Sequence, residues 1–316
     1  MTGVVYDDVY LQHEAKEHPE SPERLRACVE HLKKCGLWEK VLLVPPRKAP
    51  VEEIMRVHSW AYIRRVKEMS DTGGGFLDPD TYVTEKTFET ASWAAGGVLS
   101  ACDAVLTRKV SNALALVRPP GHHASASDGS GFCIFNNVAI AAKYLQAVYS
   151  IWRIAIIDWD VHHGNGTQSI FYADPTVFFL SAHRFPFFPG TGEAREVGTG
   201  PGTGFNKNVP LPAATTASDY VSRFSAALRD YVAPFSPEFI LISAGFDAYS
   251  GDPIGGLNLW PEDFARLTEQ VLDLARKTAG GRVVSVLEGG YDLMGLPACV
   301  EQHLTVLISP PASHHR

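Results

Sequence analysis

The segment Ile154-Ala-Ile-Ile-Asp158-Trp-Asp160-Val-His162-His163-Gly164-Asn165-Gly166 decides the fold and much of the chemistry. An apolar run with no polar alternation marks a strand buried on both faces, as in a parallel sheet. This one ends in acids and histidines, then a glycine turn. Asp158, Asp160 and His162 alternate by two, so they point the same way while the strand lasts. A helix cap needs a single Asp or Asn; three ionisable groups in register are more than a cap requires.

Similar runs at Val4–Tyr6, Val41–Val44, Ala113–Val117, Thr176–Ser181, Phe239–Ser243 and Val283–Leu287 read as further strands. Amphipathic helix patterns separate them, over Ser21–Cys35, Val51–Val57, Lys86–Leu106, Asn137–Val148, Ala217–Val232, Pro261–Thr278 and Leu296–Leu307. This order predicts one doubly wound α/β domain over residues 1–316, with a frayed tail from residue 309 in which His314 and His315 are incidental. The long irregular stretches are Asp71–Thr84, Arg118–Gly131, Arg184–Pro212 and Phe246–Leu259. Most follow a predicted strand, and open α/β sheets bind ligands beyond the carboxyl ends of their strands.

Composition narrows the class. Hydrophobic residues make up 45% of the 316 and charged residues 20%, which is globular rather than disordered. Lysine and arginine number 28 against 35 acids, a net charge of −7, and no basic run stands out. A dedicated nucleic-acid or membrane-surface protein is therefore disfavoured. The 5 cysteines are scattered without CxxC spacing, which argues for a reducing compartment over a disulfide framework. The start, MTGVVYDD, lacks the features of a signal peptide, and no apolar run approaches the ~20 residues that span a bilayer. A soluble, cytoplasmic protein is expected.

A mixed Asp/His site suits a borderline cation such as zinc. Two local ligands are too few for a catalytic centre. A third can come from Phe239-Ile-Leu-Ile-Ser-Ala-Gly-Phe-Asp247, another buried strand running into a carboxylate. Alone, Asp247 reads as a turn residue; beside the first motif, Asp160, His162 and Asp247 make three ligands and leave a position for water or substrate. The tandem histidines of Arg118-Pro-Pro-Gly121-His122-His123 sit on a constrained loop. They are either an exposed pair or acid/base groups beside the metal, oriented by Asp158 and Asn165. In Val283-Val-Ser-Val-Leu-Glu-Gly-Gly290-Tyr291, the tyrosine is either strand-end packing or a hydroxyl aimed at a developing oxyanion.

Together, RPPGHHA, GFCIFNN, DWDVHHGNGTQ, SAGFDA, GDP and LEGGY, with the earlier segment from His18 to Leu25, resemble the zinc-dependent histone deacetylase superfamily. The likeness is to its class II-like members, including bacterial histone deacetylase-like amidohydrolases, and runs nearly end to end. The resemblance implies a single arginase/deacetylase-type α/β domain with a central parallel sheet of about eight strands. It also implies hydrolysis of ε-N-acyl-lysine with one Zn2+ on Asp160, His162 and Asp247. By the same resemblance, His123 takes the proton of the attacking water and serves the leaving amine. His122 is its electrostatic partner, Asp158 the acid behind His122, and Tyr291 the carbonyl-polarising phenol. Asn165 stands where class I relatives carry an acid. Phe132 and Phe188, with Gly131, match the acyl-lysine tunnel. A structural K+ is implied at Asp158, Asp160, His162, Ser181 and Ala182, and a second at Phe171, Asp174, Val177 and Phe205.

The departure from class I is the loop Gly75–Val83, where neither Asp78 nor Asp80 aligns cleanly with the substrate-gripping acid. The residue after Gly-Asp-Pro is Ile254, where a polyamine-selective relative has an acid, so acyl-lysine ranks above acetylpolyamine as substrate. A catalytically silent acyl-lysine binder and an arginase-like binuclear manganese enzyme are the rivals. Tyr291 argues against the first; Ala248 and Tyr249 offer no second acid for the second.

Overall fold

The computed structural model describes residues 1–15 and 17–309, so the tail expected to fray lies outside the described residues beyond Ser309. Among the described residues ten strands form: β1 (Thr2–Val5), β2 (Leu42–Leu43), β3 (Gly75–Asp78), β4 (Thr81–Val83), β5 (Asn112–Ala115), β6 (Ile154–Asp158), β7 (Val177–Arg184), β8 (Asn206–Leu211), β9 (Phe239–Ala244) and β10 (Val283–Leu287). Eight make one sheet in the order β2-β1-β5-β10-β9-β6-β7-β8, every pairing parallel. The arginase/deacetylase-type sheet expected from the sequence is present. Strands β5, β6, β9 and β10 are buried along their whole length, because helices cover both faces.

All seven predicted strands form. The eighth, β8, falls within the stretch Arg184–Pro212 read as irregular. Its sequence, Asn-Lys-Asn-Val-Pro-Leu, is polar and carries a proline, both of which suit an edge strand that pairs on one side only. The stretch Asp71–Thr84 also contains structure, the antiparallel β3–β4 hairpin. Asp78 closes its turn by accepting from the Asp80 and Thr81 amides at 3.1 and 2.7 Å.

The predicted helices appear within a few residues of expectation, except that Ala217–Ala227 gives way to a wider π-turn over Leu228–Val232. Helices Trp60–Asp71 and Asn165–Phe171 are not among those expected; Ser59 caps the first by accepting from the Tyr62 amide at 3.2 Å. Helix Pro261–Thr278 shows why such segments form. Pro261 occupies its first turn, Asp263 accepts from the Trp260 amide at 2.9 Å, and Arg276 and Lys277 face the carbonyl end.

A buried charge network ties the N-terminal segment to the sheet. Glu20 accepts from Arg118 Nε at 2.6 Å, Arg118 Nη2 at 2.7 Å and Arg24 Nη1 at 3.1 Å, with all three side chains removed from solvent. Arg24 continues to the Gly290 carbonyl at 2.6 Å and to the Glu288 carbonyl. Burial opposes ionisation of Glu20, but the Arg118 guanidinium outweighs it and holds the carboxyl at about 2. Its contribution to stability is thus complete above the ordinary carboxylate range and is lost as pH falls toward that value. Glu20→Gln leaves two guanidiniums buried without their counter-charge and is expected to cost about 3–5 kcal/mol, read from urea unfolding at neutral pH. An unchanged midpoint would show that the network contributes nothing net.

Candidate active site

Parallel pairing brings the carboxyl ends of β5, β6, β9 and β10 to one rim. In register, Asp158 stands between Ser243 on β9 and Ser181 on β7. Just past these ends, one ligand atom each of Asp160, His162 and Asp247 falls within 4.8 Å of the others, all three residues buried. His162 Nδ1 lies 3.0 Å from Asp160 Oδ1 and 3.1 Å from Asp247 Oδ2. The second contact is close but outside hydrogen-bond geometry, so buried Asp247 Oδ2 has no hydrogen-bond partner among the described residues. The other carboxylate oxygens are fixed from behind: Asp247 Oδ1 accepts from the Val161 amide at 2.8 Å and Asp160 Oδ2 from the Gly289 amide at 2.8 Å. A Cβ at Gly289 would stand 2.2 Å from Asp247 Oδ2, and one at Gly245 2.1 Å from Asp160 Oδ2, so only glycine lets the backbone approach here. Two carboxylates, one imidazole and an orphaned buried oxygen fit a divalent cation with an open position.

The tandem histidines lie beside this cluster and divide into two states. His122 Nδ1 is 3.0 Å from Asp158 Oδ2, and His123 Nδ1 is 2.7 Å from Asn165 Oδ1. Burial disfavours charge on both. At His122 the carboxylates of Asp160 and Asp158 outweigh it and push the imidazole up to about 10. At His123 burial is reinforced by repulsion from His122 and His162, holding it well below its ordinary value. A charged and a neutral imidazole therefore sit with ring centroids 4.0 Å apart. Because Asn165 offers an oxygen to Nδ1, the proton of neutral His123 is on Nδ1 and its free lone pair on Nε2.

Above lies a cavity of about 190 Å³ lined by Asp80, His123, Gly131, Phe132, His162, Phe187, Phe188, Ile254 and Tyr291. Phe132 meets Tyr291 edge-on at 5.7 Å, and Phe188 meets His123 edge-on at 5.2 Å. Gly131, at φ +53°, could not carry a Cβ, which would fall 2.5 Å from His123 Cδ2. Phe132 itself holds φ +70°, an uncommon conformation for an aromatic residue, fixed by its amide donating to Thr81 Oγ1 at 3.0 Å. The Tyr291 phenol is held well above its ordinary pKa by burial and stays a donor.

The histone deacetylase domain family matches residues 18–307 of this sequence. The chain belongs to that family. It is 43% identical over 298 residues to a probable deacetylase of Archaeoglobus fulgidus, covering 93% of this chain and 82% of that protein. It is 43% identical over 306 residues to the human polyamine deacetylase HDAC10, covering 93% of this chain but 45% of that protein, so it spans less than half of this relative's length. Among solved structures, the HDA15 HD domain superposes with a TM-score of 0.92 at 38% identity, over 97% of this chain and 89% of that one. Relatives named for histone and for polyamine deacetylation place the chain among deacetylases, with the substrate class left between the two.

In this histone deacetylase domain, the expected metal-ligand, histidine, tyrosine and tunnel residues fall on the same rim, whereas the second expected potassium group, Phe171, Asp174, Val177 and Phe205, lies at the amino ends of β7 and β8. His163, adjacent to His162, does not enter the cavity: it bonds Thr191 Oγ1 at 2.8 Å and Gln168 Oε1 at 2.9 Å. At the inner group expected to hold potassium, Asp158 pairs with Ser181 across β6 and β7, and the Ala182 carbonyl accepts the Tyr220 hydroxyl at 3.0 Å. At the second group, the Lys143 ammonium already lies 2.6 Å from Asp174 and over the Phe171 ring. Asp78 serves the turn and the cavity wall, accepting from the Gly131 amide at 3.3 Å; Asp80 lines the cavity. Partial burial and neighbouring Asp78 push Asp80 up to about 6.

Three contributors carried no role in the sequence reading. Phe187 stacks on His162 at 5.1 Å, and its place beside Phe188 was the available signal. Glu288 accepts from the Gly121 and His122 amides at 2.7 and 3.2 Å, fixing the histidine loop; an acid directly after a buried strand was its mark. Asp252 of Gly-Asp-Pro accepts from the Tyr291 amide at 2.6 Å and from the Ile254 and Gly255 amides at 2.9 Å, coupling the tyrosine to the rim. Asp247→Ala is expected to lose the divalent ion that this cluster fits while far-ultraviolet circular dichroism stays native. Metal analysis finding that ion at full occupancy would remove Asp247 from the ligand set.

Proposed function

We propose that the chain hydrolyses ε-N-acyl-lysine, most simply acetyl-lysine, in proteins or peptides. The observation that carries this reading is one narrow cavity lined by a neutral imidazole, a phenol and a member of a buried three-ligand cluster. At about 190 Å³ the space falls below the ~300–1,000 Å³ of typical ligand pockets and suits an unbranched, largely apolar stem. Zinc held by Asp160, His162 and Asp247 would supply Lewis acidity, polarising the amide carbonyl and acidifying water. His123 accepts the proton of the attacking water at Nε2. Charged His122 keeps His123 poised to release it, and Asp158 holds His122 in place. The Tyr291 hydroxyl donates to the developing oxyanion. His123 then protonates the departing lysine amine, and the carboxylate product leaves.

The proposal takes residues 1–316 as one domain, supported by β1, which precedes the family match yet lies inside the sheet. It places K+ at the inner group of Asp158, Asp160, His162, Ser181 and Ala182. It places the protein in the cytoplasm, supported by 5 free cysteines, 4 of them buried. Among the described residues no helix is long and apolar enough to cross a membrane.

Tyr291→Phe separates an enzyme from a silent binder. It is expected to keep metal and substrate affinity and to lower kcat by ~10²–10³, the usual effect of removing one oxyanion donor. Undiminished turnover in peptide deacetylation assays would remove the phenol from the mechanism.

Acetylpolyamine is the second reading, favoured by the Asp80 carboxylate in the lining. Ile254 weighs against it, because an apolar wall offers no counter-charge to a secondary ammonium. Asp80 stands on an exposed hairpin turn, where it can meet the amides of a peptide substrate instead. Ile254→Glu is expected to raise kcat/KM for acetylspermidine relative to an acetyl-lysine peptide ~5- to 150-fold, the effect of one well-placed charge. A wild type that already prefers acetylspermidine at low salt would reverse the ranking.

A further inference from the structure

A second group of metal-ligating side chains lies outside the site, on the surface where helix Pro22–Lys34 packs against helix Gly295–Ile308. His31 and Cys35 stand one turn apart on the first helix, and Glu301 faces them from the second. One ligand atom from each of the three lies within 4.8 Å of the others, and His31 Nε2 is 2.5 Å from Glu301 Oε2. His31 and Glu301 are about one-third exposed, and Cys35 is the one cysteine of the 5 open to solvent.

The surroundings favour a cation. Cys35 is the C-cap of its helix, where unpaired carbonyls carry partial negative charge. The lysines of that last turn are turned elsewhere: Lys34 toward Glu30 at 3.9 Å and Lys33 over the Trp38 ring. Thiolate, imidazole and carboxylate together are the donor set of a borderline-soft divalent ion, and side chains this exposed can close to bonding distance without disturbing the core.

We propose that His31, Cys35 and Glu301 form a second transition-metal site, for zinc or an ion of like character, that staples the two helices together. Its position gives it a task. The first helix carries Arg24, which holds the carbonyls of Glu288 and Gly290. The second begins at Gly295, directly after the turn bearing Tyr291. An ion there pins both supports of the tyrosine loop. The site adds one ion to the single zinc expected from the sequence.

Cobalt(II) distinguishes the two centres, because the cluster of Asp160, His162 and Asp247 contains no sulfur and this one does. Purified protein, reduced and stripped of metal, is dialysed against cobalt(II) and then against metal-free buffer. The wild type is expected to retain a second equivalent and to show a near-ultraviolet thiolate-to-cobalt charge-transfer band. Cys35→Ser should lose the band and one equivalent, His31→Ala should weaken both, and Asp247→Ala should keep the band. Zinc should raise the Tm of the wild type by more than that of Cys35→Ser. A wild type without the band, or a band that persists in Cys35→Ser, overturns the proposal, and neither result bears on the proposed hydrolysis.

Discussion

The contact on which the site depends is the pair between His122 Nδ1 and Asp158 Oδ2, 3.0 Å long and wholly buried. Several carboxyl groups, those of Asp158, Asp160, Asp247 and Glu288, crowd the carboxyl ends of the central strands without solvent. Such a concentration of acid is tolerable only with positive charge set among it. His122 is one such charge, held in place by Asp158 and in the field of Asp160, and the carboxylates of Asp160 and Asp247 push His162 up likewise. Burial, reinforced by charged His122 4.0 Å away between ring centroids, holds His123 neutral at rest. One buried ion pair thus sorts two chemically identical side chains into a fixed cation and a free base.

The same logic extends outward from the rim. Glu20, Arg118 and Arg24 form a second sealed charge system, and Arg24 carries it to the backbone on both sides of Gly289. Gly289 in turn donates to Asp160 and could not be replaced without displacing the metal-facing carboxylates. The guanidinium also lies 4.9 Å from the centre of the Tyr291 ring. Stability and site geometry are therefore supplied by the same buried charges, so a fault in the N-terminal network reaches the phenol through three residues of backbone.

Selectivity resides in the lighter structure above. The cavity wall combines a residue in a strained backbone conformation, Phe132, with loops tied by single carboxylates: Asp78 to Gly131, and Asp252 to Tyr291, Ile254 and Gly255. These acids spend their lone pairs on backbone amides and have little left for substrate. Asp80 is differently placed, in the lining and with a carboxyl raised by its neighbour. On the proposed function, the choice between a peptide and a polyamine turns on the balance between that acid and the apolar Ile254.

How much of this was legible follows from the range of the forces involved. Strands buried on both faces announce themselves as unbroken apolar runs, and all seven such runs formed. The acids and histidines at their ends could be read as candidate ligands because they close an apolar strand; β6 itself ends at Asp158, so the period of two stops there and Asp160 and His162 are placed by the turn beyond it. Edge strand β8 and the β3–β4 hairpin escaped, since polar, proline-bearing or very short segments carry no such pattern. The adjacent histidines could not be told apart by position alone. That His162 joins the cluster while His163 is absorbed by Thr191 and Gln168, and that His122 is charged while His123 is not, was decided by residues brought in from other strands. The meeting of His31 and Cys35 with Glu301 likewise exists only once two helices distant in sequence have packed. Local pattern fixes which residues face a rim, whereas protonation and coordination depend on charges within a few ångströms in space, and those only the tertiary fold assembles.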